Sequence, residues 1–437
     1  MSDEITIIGG GLAGSEAAWQ AAQAGAKVRL VEMRGVKPTP VHTGDRLAEL
    51  VCSNSLKSNQ LTNAAGLLKQ EMRRLDSLIV AAGDASCVPA GEALAVDREL
   101  FAAHITHRLE SHPNVTLDRA EVTTIDEDTV HIVATGPLTS DALASEVGRL
   151  TGQSQLFFYD AVAPTIDAST INREIAFKAS RYDKGDPAYL NCPFTRDEYE
   201  AFHDALSRAE LAPLGDHEAK VPYFEGCLPI EVLAARGPKT LSFGPMKPVG
   251  LNDPRTGRRP WACLQLRQEN RAETLYSMVG FQTRMKWGEQ RRVFRMIPGL
   301  ENAEFVRYGV IHRNTYIQSP QVLADTLQMR AYPHVFFAGQ ITGVEGYVES
   351  AATGILAGRN AARHLLGQPL LTLPDTTMLG ALTHYVACYD GKDFQPMNAN
   401  WGIVPPLPDR IRDKKEKNTL LAERGLAALE EAVTAWG

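Results

Sequence analysis

The sequence predicts an α/β protein with a Rossmann-like nucleotide-binding domain that is discontinuous in sequence and interrupted by an inserted α/β domain. Residues 4–32 read as strand, glycine turn, alanine-rich helix and second strand. Residues 334–366 read as a buried strand, a glycine-rich turn and a long helix, and prolines and aromatic residues cluster between these two segments. We therefore expect the first part at 1–181, the insertion at 182–330, and the second part at 331–437 with a C-terminal helix.

The N-terminal segment EITIIGGGLAGSEAAWQAAQAGAKVRLVEM carries G-x-G-x-x-G between a strand and a helix, where the pattern indicates dinucleotide binding. Gly9 allows a tight turn, Gly11 lets a pyrophosphate approach the backbone, and Gly14 lets the helix pack on the strand. The acidic residue that ends the second strand can accept a hydrogen bond from a ribose hydroxyl. The alternative is a glycine-rich turn that binds nothing. The predicted cofactor-binding residues here are Gly9, Gly10, Gly11, Leu12, Ala13, Gly14 and Glu32.

Two later features favour FAD over NAD. The strand DTVHIVATG ends in Ala134 to Gly136, a chain reversal common in flavoproteins, although a plain strand end is the alternative. In HVFFAGQITGVEGYVESAATG a glycine-rich turn precedes a helix, and we assign Gly339, Gln340 and Gly346 to the flavin. No second G-x-G-x-x-G occurs, so this FAD domain of the glutathione-reductase type lacks the separate nicotinamide domain of disulfide reductases. NADH or NADPH would have to reach the flavin without a dedicated Rossmann unit.

Composition and charge narrow the class of protein. The chain has 437 residues and a net charge of −7, which argues against indiscriminate nucleic-acid binding but permits a local basic patch. The six cysteines form no C-x-x-C pair, and His104 and His107 have no supporting cluster, so we expect neither disulfides nor a metal site. No apolar run approaches the roughly 18 residues of a membrane span, and the cytoplasm is the expected location.

Two cysteines stand in unusual surroundings. Cys52 lies in LVCSNSLKSN, a stretch without helical or strand periodicity, among hydroxyl and amide groups. Cys227 lies in FEGCLPIEVLAARG beside a predicted turn, where a helix N-terminus can lower a thiol pKa. A small buried hydrophobic residue is the alternative for each of them. We expect a packing role for the other four, which are Cys87, Cys192, Cys263 and Cys388.

A basic segment runs from Arg284 to Arg313 and carries a local charge of +4 inside an acidic chain. Aromatic residues interleave with the cations, so positive charge can track phosphates while rings stack on unpaired bases. The alternative is a solvated helix face above core aromatic residues. The residues predicted to contact RNA are Arg284, Lys286, Arg291, Arg292 and Arg295.

Six long motifs resemble those of the folate- and FAD-dependent tRNA (uracil-5-)-methyltransferases. They are GGGLAGSEAAW, LVCSNSLKSN, FEGCLPIEVLAARG, FGPMKPVGL, VGFQTRMKWGEQRRVFRMIPGLENAEFVRYGVIHRNT and FAGQITGVEGYVESAATG. The resemblance runs in order from Ile7 to about Trp401. It implies transfer of the methylene of 5,10-methylenetetrahydrofolate to C5 of a uridine in the tRNA T-arm. Reduced FAD would convert the methylene to methyl, and NADH or NADPH would recharge the flavin.

The resemblance also implies a role for the two unusual thiols. Cys52 and Cys227 match the two functional cysteines of the family. A thiolate that adds to uracil C6 makes C5 able to attack a one-carbon electrophile, and a base must later remove the C5 proton. Polar neighbours can orient the base edge or stabilise enolate charge, and an aromatic ring can stack on a pterin. The residues predicted to contact folate or base are Ser53, Asn54, His312, Asn314 and Tyr347.

Three other functions stay open on the residues alone. The first is the same chemistry on a ribosomal RNA uridine. The second is a small-molecule flavin oxidoreductase, which would need no basic aromatic segment. The third is a non-catalytic flavin- and RNA-binding module, which would tolerate loss of both cysteines. The residues also leave open which thiol attacks C6.

Overall fold

The computed structural model describes residues 4–39, 41–153, 156–183, 187–213, 228–391 and 394–436. In chain order the strands are β1 Glu4–Ile8, β2 Lys27–Glu32, β3 Ser55–Ser58, β4 Cys87–Val88, β5 Ala93–Val96, β6 Val115–Arg119, β7 His131–Val133, β8 Leu156–Ala161, β9 Thr165–Asp167, β10 Phe177–Ala179, β11 Tyr189–Phe194, β12 Ala262–Gln268, β13 Leu275–Met278, β14 Phe305–Arg307, β15 Ile311–Tyr316 and β16 Val335–Phe337. The α-helices are α1 Leu12–Gln23, α2 Ala64–Arg74, α3 Leu78–Ala85, α4 Arg98–Glu110, α5 Asp141–Thr151, α6 Arg196–Ser207, α7 Ile230–Ala235, α8 Thr240–Phe243, α9 Trp287–Phe294, α10 Ser319–Val322, α11 Tyr347–Leu365, α12 Met378–Cys388 and α13 Lys414–Ala435.

Five parallel strands form the first sheet, in the order β16-β7-β1-β2-β6. Parallel neighbours need a crossover connection, and α1 supplies it between β1 and β2, as the glycine motif predicts. The late strand β16 pairs with β7 in this same sheet. The chain therefore returns to its first domain after the insertion, which confirms the predicted discontinuous α/β fold.

Helices α1 and α11 pack closely against each other beside this sheet. A side chain on Gly354 would overlap the backbone of Ala13, and one on Gly358 would overlap the backbone of Ala17. Each helix follows a strand of the parallel sheet, α1 after β1 and α11 after β16. Because the carboxyl ends of parallel strands share one edge, the N-termini of both helices face the same crevice.

Six antiparallel strands form a second sheet, in the order β10-β11-β12-β13-β9-β14. Helices α6, α7 and α9 supply Phe202, Ile230 and Phe294 to its separate hydrophobic core. Strands β8 and β15 pair with each other, one on each side of this unit in the sequence. They carry the chain into the second sheet and back out of it. A smaller antiparallel sheet is formed by β3, β5 and β4.

The second sheet begins before residue 182, the boundary predicted from composition. Strands β9 and β10 belong to it although they cover residues 165–167 and 177–179, and its last strand, β14, ends at residue 307. The early strands lie outside the proline- and aromatic-rich stretch, so composition could not reveal them. We therefore propose that the insertion covers the residues between β8 and β15, 162–310, in place of 182–330.

The described residues also bear on membrane spans, metal binding and the remaining cysteines. Among the described residues, no helix has the length and apolar character needed to cross a bilayer. The same residues contain no group of three or more His, Cys, Asp or Glu side chains arranged to hold a metal ion. Cys192 and Cys263 are buried, as a packing role requires, whereas Cys87 and Cys388 are exposed, so the packing prediction is wrong for these two.

Candidate active site at the edge of the parallel sheet

A cleft opens where the carboxyl ends of β1, β2, β7 and β16 meet. Its lining includes the chain reversal from Ala134 to Gly136, which the sequence indicated as a flavin-side feature. A crevice at this edge is where dinucleotides bind in doubly wound folds. The predicted cofactor residues that line it are Gly9, Gly11, Leu12, Ala13, Glu32, Gly339 and Gln340.

The glycines of the first turn differ in the space around them. Gly9 has a φ of +104°, and a Cβ there would lie 2.6 Å from the carbonyl oxygen of Ala134. A Cβ on Gly14 would overlap the carbonyl oxygen of Gly9. A Cβ on Gly11 would instead meet no protein atom within 4 Å, so the space before Gly11 belongs to the cleft. This cradle at the N-terminus of α1 fits a pyrophosphate.

Glu32 lies at the cleft as a buried carboxylate. It accepts hydrogen bonds from the backbone N–H of Gly10 at 2.7 Å and of Arg34 at 2.9 Å, and it pairs with the Arg34 guanidinium at 3.0 Å. Burial opposes ionisation, but the hydrogen bonds and charge of Arg34 outweigh it and hold the pKa of Glu32 below its usual value. The carboxylate therefore stays charged, but Gly10 and Arg34 already make four contacts with its two oxygens, so a hydrogen bond from a ribose hydroxyl stays a prediction. Sequence reasoning missed Arg34.

The loop formed by residues 50–54, here called the Cys52 loop, adjoins the cleft. Val51 and Tyr347 both line the cleft. The hydroxyl oxygen of Tyr347 accepts hydrogen bonds from the backbone N–H of Cys52 at 2.7 Å and of Ser53 at 3.3 Å. Burial raises the pKa of Tyr347 above its usual range, so the phenol stays protonated. Tyr347 begins α11 after Gly346, which has a φ of +121°. Contact between the Tyr347 ring and folate stays a prediction.

Two partly buried arginines hold the backbone of the Cys52 loop. Arg98 donates hydrogen bonds to the carbonyl oxygens of Leu50 and Cys52, the second at 3.0 Å. Arg307 donates to the carbonyl oxygen of Val51 at 3.0 Å and to that of Cys52 at 3.4 Å. The loop is therefore supported by side chains from α4 and β14, which lie far apart in the sequence.

A third arginine ties the loop to the second sheet. Arg267 of β12 donates to Ser53 Oγ at 2.6 Å and to Asn54 Oδ1 at 2.7 Å. Asn54 is fully buried, and its Nδ2 donates to the carbonyl oxygens of Val96 and Gln268. Both ends of the Asn54 amide are therefore occupied by protein groups. This geometry corrects the prediction that Asn54 contacts a base, because the side chain instead connects β5 with β12 of the second sheet.

Positively charged side chains outnumber negatively charged ones around the Cys52 loop. Arg98, Arg267 and Arg307 approach it, and Glu269 is the acid that pairs with Arg98. Three guanidinium groups against one carboxylate favour negative charge in the Cys52 loop. Sequence reasoning missed Arg98 and Arg267 and placed Arg307 in the basic surface segment. They stand at unrelated positions in the chain, so only the fold brings them together.

Part of the segment predicted to contact RNA is exposed to solvent. On α9 and just before it, Lys286, Arg291 and Arg292 are exposed. Lys286 pairs with Glu210 at 2.8 Å, and Arg292 pairs with Glu289 at 2.7 Å. Trp287 beside them is 62% exposed and stacks on the ring of Tyr308, with centroids 5.4 Å apart. The other two predicted RNA contacts, Arg284 and Arg295, are half-buried.

Other predicted residues are less accessible or lie outside the described part. Asn314 in β15 is fully buried, and neither the oxygen nor the nitrogen of its amide group has a hydrogen-bond partner among the described residues. The strand β15 includes His312, whose side chain lies outside the described residues. Cys227 also lies outside them. The structure therefore brings Cys52, Ser53 and Tyr347 together at the cleft, and folate or base contacts by Asn314 and His312 stay predictions.

Comparison with known proteins agrees with this architecture. The family model "Glucose inhibited division protein A" matches residues 4–369. A crystal form of GidA from Aquifex aeolicus superposes with a TM-score of 0.71 at 17% identity, covering 99% of this chain and 76% of that one. A second crystal form gives a TM-score of 0.68 at 18% identity, covering 98% and 77%. At these identities the two structures establish the fold.

Relatives of higher identity carry one shared name, methylenetetrahydrofolate–tRNA-(uracil-5-)-methyltransferase TrmFO. The protein of that name from Pelotomaculum thermopropionicum is 59% identical over 98% of this chain and 97% of its own length. Those from Enterococcus faecalis and Listeria monocytogenes are 58% and 57% identical, each over at least 98% of both chains. The chain therefore belongs to the glucose inhibited division protein A family and, within it, to the methylenetetrahydrofolate–tRNA-(uracil-5-)-methyltransferases that its motifs resemble.

Proposed function

We propose that this protein transfers the methylene of 5,10-methylenetetrahydrofolate to C5 of the T-loop uridine of tRNA, so that 5-methyluridine results. Reduced FAD held in the cleft would supply the hydride that converts the transferred methylene to methyl, and NADH or NADPH is the proposed source of its electrons. One observation carries the proposal: Tyr347 lines the cleft and also holds the backbone of Cys52. A candidate nucleophile thereby adjoins the cleft that would hold the redox cofactor.

The proposed role of Cys52 is to form a bond from Sγ to uracil C6. The electron pair displaced from the C5–C6 double bond makes C5 a nucleophile toward the one-carbon unit. C5 bonds to the methylene carbon, and a base then removes the C5 proton as the bond from that carbon to the folate nitrogen breaks, so that tetrahydrofolate leaves. Addition of hydride to the resulting exocyclic methylene returns an electron pair to C5, and the thiolate leaves as the C5–C6 double bond forms again. The Arg98, Arg267 and Arg307 guanidinium groups favour the thiolate at the start and end of this sequence. Cys227 is proposed from its motif as the second functional thiol.

The hydrogen bonds of the Cys52 loop have a catalytic consequence. Its carbonyl groups accept from Arg98 and Arg307, and its N–H groups donate to Tyr347. A loop held from both sides has little freedom to lose when the uridine arrives. Such preorganisation lowers the entropic cost of aligning sulfur with C6. Ser53 retains its proposed role toward the base, since its hydroxyl proton can still be donated.

The exposed face of α9 supports RNA as the substrate class. The ion pairs Lys286–Glu210 and Arg292–Glu289 lie on the surface. Exposed ion pairs contribute only about 0–1 kcal/mol, so a phosphate can replace the carboxylate at little cost. The Trp287–Tyr308 stack offers a ring surface beside these cations. A small-molecule oxidoreductase would have no use for this combination.

The test supplies unmodified tRNA, 5,10-methylenetetrahydrofolate labelled in its methylene carbon, and either NADH or NADPH to the FAD-loaded protein. We expect labelled 5-methyluridine at the T-loop position and none when folate is omitted. A parallel reaction contains S-adenosylmethionine labelled in its methyl group, and we expect no transfer from it. Label from S-adenosylmethionine, or methylation of ribosomal RNA in preference to tRNA, would contradict the proposal.

A further inference from the structure

A second cleft lies in the inserted domain, away from the Cys52 loop. It is formed by the junction of β11 and α6, by α8, and by the loop that leads into β12. Three acidic residues line it, Glu198, Asp253 and Glu301, against twice as many cations. The lining cations are Arg196, Lys239, Lys247, Arg255, Arg258 and Arg259.

Most of this positive charge is available to a ligand. Arg196 pairs with Glu200, and Arg255 pairs with Asp253. The remaining cations are exposed and form no ion pair with any residue that the structure describes. These cations are Lys239, Lys247, Arg258 and Arg259. A concave surface with four unpaired cations in a chain of net charge −7 selects an anionic partner by charge complementarity.

Exposed aromatic rings stand among these cations. Phe243 is 76% exposed and Trp261 is 42% exposed, and both line the cleft. The guanidinium of Arg196 lies 5.4 Å from the centroid of the Trp261 ring. Cations bind phosphates, whereas rings provide stacking surfaces for unpaired bases. An acidic peptide would use the cations but would leave the rings in water, so RNA fits the surface better.

The cleft has a fixed distance from the Cys52 loop because one strand reaches both. Arg267 near one end of β12 contacts the loop, whereas Ala262 at the other end follows Trp261 of the cleft. Five steps along a strand at about 3.3 Å each separate the two places by roughly 17 Å. A distance of this size spans only a few nucleotides of an RNA chain. One RNA molecule can therefore reach both.

We propose that this second cleft binds the sugar–phosphate backbone of the same RNA whose uridine lies at the Cys52 loop. The inference rests on the proposed function, which it extends by assigning a second contact surface. Lys239, Lys247, Arg258 and Arg259 contact phosphates, and Phe243 packs against an unpaired base. Recognition would then depend on the insertion as well as on α9.

The experiment measures the affinity of the FAD-loaded protein for a fluorescent unmodified tRNA at several salt concentrations. A Lys239→Ala, Lys247→Ala double variant is compared with a Lys27→Ala, Lys414→Ala control. The control removes two exposed lysines that have no ion pair within the described residues and lie outside the insertion. Two lost phosphate contacts should weaken binding about 10-fold and lower the salt slope by roughly 1.4–1.8. The control should leave both quantities unchanged. Phe243→Ala should weaken binding without changing the slope.

Wild-type affinity and slope in the Lys239, Lys247 variant would overturn the inference, as would an equal loss in the control. Methylation kinetics separate this outcome from failure of the proposed function. We expect the cleft variant to raise the KM for tRNA more than it lowers kcat. A wild-type protein that binds tRNA through the cleft but forms no 5-methyluridine would reject the proposed function alone.

Discussion

The hydroxyl oxygen of Tyr347 lies 2.7 Å from the backbone nitrogen of Cys52, although the two residues are 295 positions apart in the sequence. Tyr347 is the first residue of α11, the helix that follows the glycine turn of the cofactor cleft. The position of the thiol loop is therefore coupled to the element that forms one wall of the cleft. This coupling connects the proposed chemistry of the thiol with that of the cofactor.

Replacement of Tyr347 by Phe should slow methylation while FAD stays bound. The change leaves the N–H groups of Cys52 and Ser53 without their acceptor, at a cost of about 1–3 kcal/mol, and this allows the loop to move. We expect kcat to fall about 10-fold or more. Tyr385→Phe is the matched control, because its hydroxyl donates to the carbonyl of Gln395 away from the loop. Equal kcat in both variants would contradict the positioning role.

Replacement of Cys52 by Ala should abolish most methylation without loss of FAD or tRNA binding, because the thiol is needed for the chemistry alone. Cys87→Ala is the control, since this cysteine is also accessible and should be dispensable. An RNA with 5-fluorouridine at the target should form a lasting adduct, because fluorine cannot leave C5 as a proton does. Mass spectrometry should find it on Cys52. An adduct on Cys227 instead would show that Cys227, and not Cys52, attacks C6 of the uracil.

Replacement of Gly11 by Val should give folded protein without FAD. A side chain at Gly11 meets no protein atom within 4 Å, so it would occupy the space assigned to the pyrophosphate without disturbing the fold. Gly288→Val provides the control, because this glycine is equally unobstructed and lies in α9. Absorbance at the flavin bands measures the FAD content, and circular dichroism shows whether the variant is folded. Full flavin content in the Gly11 variant would refute the assignment.

Loss of Arg291 and Arg292 should weaken tRNA binding. We expect the double alanine variant to reduce the salt slope by roughly 1–2 and to keep its flavin spectrum, since both side chains are exposed. An Arg149→Ala, Arg208→Ala variant is the control, because these arginines are also exposed and lie outside α9. If both variants bind tRNA as the wild type does, the face of α9 is only a solvated surface.

The buried carboxyl of Glu71 should make stability depend on pH. Burial raises the pKa of Glu71 to about 7, although it accepts hydrogen bonds from the N–H groups of Met378 and Leu379. The folded state then binds a proton that the unfolded state releases between about pH 4.5 and 7, so this contribution to stability is largest at low pH. Relative to Glu71→Gln, the wild type should gain about 2–3 kcal/mol from pH 8 to pH 5. Denaturant titrations measure the difference, with Glu423→Gln as an exposed control.

The sequence by itself determined the cofactor domain and the chemistry to look for. The glycine motif, the strand that ends in Glu32 and the late strand–turn–helix segment all act within short windows, where turn sterics and side-chain periodicity specify the backbone. Cys52 could be singled out for a similar reason, since its polar neighbours are adjacent in the chain. The motif resemblance then connected these local features to one enzyme family, which the comparisons confirm.

Only the tertiary structure decided what surrounds the thiol and which strands pair in the second sheet. Arg98, Arg267 and Tyr347 reach the Cys52 loop from three separate elements, and no local pattern records such contacts. Asn54 carries an amide that could contact a ligand, but it is buried and its hydrogen bonds connect β5 with β12 instead. Strand β9 belongs to the second sheet because it pairs with β13, more than a hundred residues later. Pairing across such distances depends on the packing of the whole chain, whereas propensity acts over a few residues.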